Sequence, residues 1–270
     1  MNMIPQAKMT GKRTVWFVIL TFALTYAMWG FLALNPGGRF SFCSPGAMIP
    51  FSLGALSPAI IMFVLIKKWG KMKEERAFFR PIFHTAHGWK ATVLVSLIFF
   101  AVFFGILCLF AKRIEPWYML AAVFPMMIIG GGLEEIGWRG FLQPALEKKM
   151  PFWLAAIVVG VIWGVWHLPL RFVPGTFQDE ISFFLYIGFT ILMSFLLGAI
   201  QRLTGSVAAS VAFHAWVNVV LSVFSVTSLF NGSDSPILFA VCLLGFAAAA
   251  TATVYIFQRK EIKVNKSDRG

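Results

Sequence analysis

This sequence predicts an all-α membrane protein, a bundle of eight transmembrane helices. Three observations carry that expectation. Of the 270 residues, 59% are hydrophobic and only 13% charged, with a mean hydropathy of +0.80; a soluble domain is nearer half apolar and a quarter charged. Eight apolar stretches of about 20 residues, the length needed to cross hydrocarbon, alternate with polar connections. The basic residues concentrate on every second connection.

The first span runs from Val15 to Leu34, behind Lys8, Lys12 and Arg13, and Asn35-Pro-Gly-Gly38 ends it with turn chemistry. The second covers about Ala47 to Ile66, with Pro50 and Pro58 expected to kink it. A basic connection, Lys67 to Lys90, precedes the third span, Ala91 to Ala111. The fourth begins near Pro116, a favourable first-turn position for proline, and is expected to continue as one helix to about Leu146. Pro151 opens the fifth, which ends near Pro169. The sixth is Ile181 to Ile200, the seventh about Ser206 to Phe224, and the eighth Pro236 to Phe257. The expected organisation is an N-terminal segment, 1–14, a membrane domain, 15–257, and a basic tail, 258–270, with no internal repeat.

A net charge of +12 would suggest nucleic acid in a soluble protein. Here the cations flank spans, where they set orientation and meet lipid headgroups, so no nucleic-acid partner is expected. With eight spans, 18 of the 23 Lys and Arg lie on the side holding both termini. Arg39, Lys112, Arg113 and Arg171 lie on the other, and Arg139 is inside a span. The positive-inside rule then places both termini in the cytoplasm. Cys43, Cys108 and Cys242 show no paired spacing, so neither a disulfide framework nor a cysteine metal site is expected. Val15–Leu34 is too long for the core of a cleavable signal peptide.

The informative stretch is Gly131-Gly-Leu-Glu-Glu-Ile-Gly-Trp-Arg-Gly-Phe141. It places Glu134, Glu135 and Arg139 deep in apolar sequence, where ionisable groups are costly and mark function by default. At 1.5 Å per residue, Glu134, His167, His214 and Asn218 fall at overlapping depths, about 12 to 24 Å from the cytoplasmic ends of spans four, five and seven. Glu135 and Arg139 are i, i+4 and can pair. Glu134 is rotated by about 100 degrees and points elsewhere. His214 and Asn218 share a face, as do Trp163 and His167. A carboxylate can take a proton from water, a histidine can orient that water, and the remaining donors can stabilise an oxyanion. There is no HExxH and no serine or cysteine in a nucleophile turn, which favours direct attack by water.

These residues carry a resemblance. Glu134-Glu135-Ile-Gly-Trp-Arg139 resembles the EExxxR motif of the CPBP family, the CAAX proteases and bacteriocin-processing enzymes formerly called ABI. Trp163-Gly-Val-Trp-His167 resembles its FxxxH motif, with tryptophan for phenylalanine, and His214-Ala-Trp-Val-Asn218 its HxxxN motif. The three occur in order over roughly residues 116–220. The resemblance implies an eight-helix bundle enclosing an intramembrane catalytic cavity. It also implies an endopeptidase using glutamate-activated water, in a prokaryotic plasma membrane. By the same resemblance, Glu134 and His167 activate water, while His214 and Asn218 serve the oxyanion. Trp163, Glu135 and Arg139 are supporting residues, and Trp163 is expected to matter for packing more than for chemistry.

Other readings remain open. Two glutamates and two histidines could ligate zinc, making a metalloprotease, although no cofactor is the first expectation. Intramembrane Glu and His also build proton relays in transporters, against which stands the lack of inverted repeats and paired broken helices. A bacteriocin-immunity protein without turnover is a further alternative. Glu135 and Arg139 could be a structural ion pair, and the histidines interhelical hydrogen-bonding glue. Trp138 and Trp166 are read as lipid-facing or packing residues, and His84 and His87 as solvated loop side chains. The expected partners are a membrane-associated peptide or protein substrate and the lipid bilayer.

Overall fold

The computed structural model describes residues 11–35, 45–69, 82–225 and 235–267. Eight long helices dominate them: α1 (Gly11–Ala33), α2 (Pro45–Trp69), α3 (Trp89–Phe110), α4 (Met119–Gly130), α5 (Phe152–Trp166), α6 (Phe183–Thr204), α7 (Val207–Val223) and α8 (Ser235–Ser267). Among the described residues seven stretches are long and apolar enough to cross a membrane, and they include α4 together with the residues after it to Leu146. The seventh expected span, α7, is shorter at 17 residues, about 25 Å of helix. It sits inside the bundle against α3, α4 and α6, where its length need not match the bilayer. Outward faces carry exposed apolar side chains, such as Leu94, Leu97 and Ile98 on α3 and Ile237, Val241 and Leu244 on α8. On a surface facing hydrocarbon these cost nothing, and the chain is an integral membrane protein.

Several expected boundaries move. The first helix starts at Gly11, and the last continues to Ser267 through the stretch read as a tail. The breaker Pro36–Gly38, most of the basic connection after α2 and Cys43 lie outside the described residues. Helix α2 passes through Pro50 and Pro58 as one helix. The fourth span reaches Leu146 as expected, but not as one uniform helix. After Gly130 it passes through a 3-10 turn (Gly132–Glu134), one α turn (Glu135–Gly137), a π turn (Trp138–Leu142) and a last α turn (Gln143–Leu146). Pro144 has no N–H to extend a regular ladder through this stretch.

Two short strands also escaped expectation. Lys112–Arg113 (β1) and Phe224–Ser225 (β2) pair antiparallel, tying the end of α3 to the end of α7. At the opposite end, Ala86 N–H donates to Thr204 O at 2.7 Å and Ser206 Oγ to Ile82 O at 3.2 Å. A side chain added at Gly11 would meet Lys149 Nζ. Residues 11, 82–86, 149 and 204–206 therefore occupy one end of the bundle, in keeping with helices that alternate in direction.

Packing follows membrane rules, with small residues allowing backbones to approach. A Cβ at Gly160 of α5 would lie 2.5 Å from Ile191 Cα of α6, and Thr190 Oγ1 donates to Gly160 O at 3.0 Å. In α1, Thr25 donates to Gly54 O of α2 and accepts from Trp166 of α5, so three helices share one buried hydroxyl. Trp138 and Trp166, left open between lipid and packing, are wholly buried. His84 and His87 are exposed, as expected for solvated loop residues.

Candidate active site

The break at Gly131 brings the motif against α7. A Cβ on Gly131 would lie 2.3 Å from Asn218 Nδ2, and one on Gly132 would lie 2.7 Å from Val211 O. Only glycine permits this approach. On the other side, Gly137 rests on Pro58 of α2. The motif is thus clamped between two helices, with Glu134 and Glu135 on consecutive turns pointing to different places.

Glu135 faces the protein. Its Oε2 lies 2.9 Å from Arg139 Nη1, the i, i+4 pair that the spacing predicts, and both side chains are fully buried. Its Oε1 accepts from His214 Nδ1 at 2.9 Å, a contact the spacing does not predict. The guanidinium also lies 5.3 Å from the Trp163 ring centroid. Among the described residues its nitrogens make no hydrogen bond of good geometry, so the Arg139 charge is balanced chiefly by the nearby Glu135 carboxylate.

Glu134 faces a cavity of about 490 Å³, shared with Trp163, His167, His214 and Asn218. Neither Glu135 nor Arg139 lines that space. Glu134 is 3% exposed, and its Oε2 accepts from Trp163 Nε1 at 2.9 Å. Tryptophan at 163 therefore bonds the Glu134 carboxylate directly, in addition to the packing role expected to dominate.

His167 stands where α5 ends. Pro169 lacks the N–H that would carry the helix forward, and Tyr26 Oη of α1 donates to Val165 O at 2.7 Å. The His167 backbone turns into 3-10 geometry, bonding Gly164 O, and its side-chain Nδ1 donates to Trp163 O at 2.9 Å. Because a carbonyl can only accept, Nδ1 carries the proton and neutral His167 keeps Nε2 as an acceptor. Trp29, Trp163, Trp166 and Tyr186 surround the ring, with centroids 4.6 to 5.6 Å away.

His214 also spends Nδ1 inside the protein, on Glu135, which leaves Nε2 beside Gly131. Asn218, half-buried one turn further on, makes no side-chain hydrogen bond among the described residues, and its carboxamide lines the cavity. Sequence reasoning missed Tyr186 and Gln178. Gln178 Nε2 donates to Tyr186 Oη at 3.1 Å, and both residues line the cavity beside His167. No motif signals them, because they come from the loop before α6 and from α6 itself.

Among the described residues, no three His, Cys, Asp or Glu side chains converge at metal-ligand spacing. Glu135 and the two Nδ1 atoms are committed to protein partners, which leaves the Glu134 carboxylate and the two Nε2 atoms toward the cavity. What remains is a carboxylate, an accepting imidazole nitrogen, a second imidazole and a carboxamide around one intramembrane space. Such a set has the groups that hydrolysis inside a membrane needs. Comparison narrows the class. Residues 115–220 match the family described as type II CAAX prenyl endopeptidase, Rce1-like. The chain is also similar to CAAX prenyl protease 2 of Methanococcus maripaludis, 24% identical over 250 residues, covering 83% of this chain and 90% of the relative. The chain is thus CAAX protease-like over the stretch that carries its three motifs.

Proposed function

We propose that this chain is an endopeptidase that hydrolyses a peptide bond of a membrane-associated protein or peptide with water activated by Glu134. The observation that supports this most is the division of the motif: Glu134 opens onto the cavity beside His167, while Glu135 turns away to Arg139 and His214. Glu134 takes a proton from water as the hydroxide adds to the scissile carbonyl carbon. His167 Nε2 accepts the water's other hydrogen and fixes its direction. The C–N bond then breaks, and the proton held by Glu134 passes to the leaving amine. No metal or cofactor takes part in this scheme.

The oxyanion that forms lies toward α7. Asn218 Nδ2 donates to it directly. His214 serves the same site through Nε2, its ring fixed by the Nδ1 bond to Glu135, which Arg139 holds in turn. Membrane burial supports the same division of labour, since donors in a dry site act more strongly than in water. Charge distribution supports a cytoplasmic location for both termini, and the likeness to a Methanococcus maripaludis protein supports a prokaryotic plasma membrane. Peptidomics of cells carrying the wild type or Glu134→Ala tests the reading. The expected result is a membrane-associated substrate that accumulates uncut in the variant; identical peptide profiles would overturn it.

A further inference from the structure

We propose that Trp163 is a positioning residue that holds the two water-activating groups in register, through its indole for Glu134 and its backbone carbonyl for His167. This rests on Glu134 being the base. A carboxylate rotates about its last torsion with little preference, so something must fix which oxygen meets the water. Here Trp163 Nε1 engages Oε2 at 2.9 Å. No described side chain donates to Oε1 with hydrogen-bond geometry; the Trp138 indole, the weaker neighbour, does not reach it. The carbonyl of the same residue accepts from His167 Nδ1, which turns Nε2 outward.

Trp163 can do this because it is itself immobile. It is 3% exposed, its ring lies edge-on to His214 with centroids 5.1 Å apart, and the Arg139 guanidinium sits 5.3 Å from its centroid. One rigid side chain with two torsions thus touches both catalytic imidazoles and the base. Phenylalanine at this position would keep the carbonyl bond to His167 and lose the bond to Glu134. The Trp-for-Phe difference in the second motif therefore adds a fixed donor to the base of this chain.

The experiment replaces Trp163 with benzothienylalanine, which keeps the bicyclic shape and swaps the N–H for sulfur; Trp163→Phe and Glu134→Gln are made in parallel. Steady-state cleavage of the identified substrate, or of a membrane peptide pool, is measured with the protein in lipid nanodiscs. For the isostere, kcat should fall about tenfold with KM and melting temperature unchanged, and Trp163→Phe should fall at least as far. The Glu134 carboxyl infrared band, assigned by its loss in Glu134→Gln, should move in the isostere, a readout that needs no turnover. A packing role alone predicts wild-type kcat and an unmoved band for the isostere, and that result overturns the proposal. Should Glu134→Gln stay active, the base assignment fails instead. A silent Glu134→Gln beside a fully active isostere sinks only the role of Trp163.

Discussion

Glu135 Oε1 and His214 Nδ1 lie 2.9 Å apart, joining two motifs that stand 79 positions apart in the chain. With Arg139 on the other carboxylate oxygen, Glu135 is the centre of a buried three-residue line that ends at the cavity wall. Removing Arg139 or Glu135 leaves the other's charge with no water to solvate it. Arg139→Ala is therefore expected to act first on stability, at about 3–5 kcal/mol for breaking a buried pair. The check is thermal melting in nanodiscs. An Arg139→Ala protein with wild-type melting and no activity would contradict the structural role.

Glu134→Gln separates base from scaffold. Glutamine keeps the size of the side chain and can still accept from Trp163 Nε1, but it cannot take a proton from water. The expected outcome is a folded protein whose turnover drops by about 10² to 10⁴-fold, the usual contribution of a general base. Substantial cleavage by a well-folded Glu134→Gln protein excludes the mechanism proposed here.

Much of this arrangement was legible because periodicity governs it. The Glu135–Arg139 pair follows from i, i+4 spacing, and the shared depth of Glu134, His167, His214 and Asn218 follows from counting residues along spans. Contacts between helices were not legible. The Glu135–His214 bond and the Trp163–Glu134 bond depend on how helices are rotated against each other, and one sequence does not reveal that. The interruption of the fourth span had a signal in Gly130-Gly131-Gly132, yet the surrounding apolar run reads as one helix. The β1–β2 pairing involves two residues per strand, too few for any alternation to register.

Gly132→Ala tests whether the close approach of the motif to α7 matters. The new Cβ would lie 2.7 Å from Val211 O, a backbone atom that cannot rotate away. Helix α7 must shift, carrying His214 and Asn218 with it. Misplacement on the order of 1 Å can cost about 10²-fold in rate, so activity should fall by roughly that factor, together with a lower melting temperature. Wild-type kinetics in Gly132→Ala would show that the two segments do not meet as described.

The last prediction separates the two sides of the cavity and the two proteolytic chemistries. Asn218 cannot hold a proton in transit, so it contributes only a donor to the developing oxyanion. Asn218→Ala should therefore cost about 10² to 10³-fold in kcat, as loss of one oxyanion donor does, with melting unchanged because the carboxamide makes no hydrogen bond among the described residues. His167→Ala should cost more. It removes the group that directs the water and leaves the Trp163 carbonyl unpaired at the end of α5. Both variants should be measured beside the wild type after dialysis against a strong chelator. Full wild-type activity in chelator with graded losses in the two variants is the expected pattern. An enzyme silenced by chelator and restored by zinc would make Glu134 and the histidines metal ligands, through the Nε2 atoms that their Nδ1 bonds leave free.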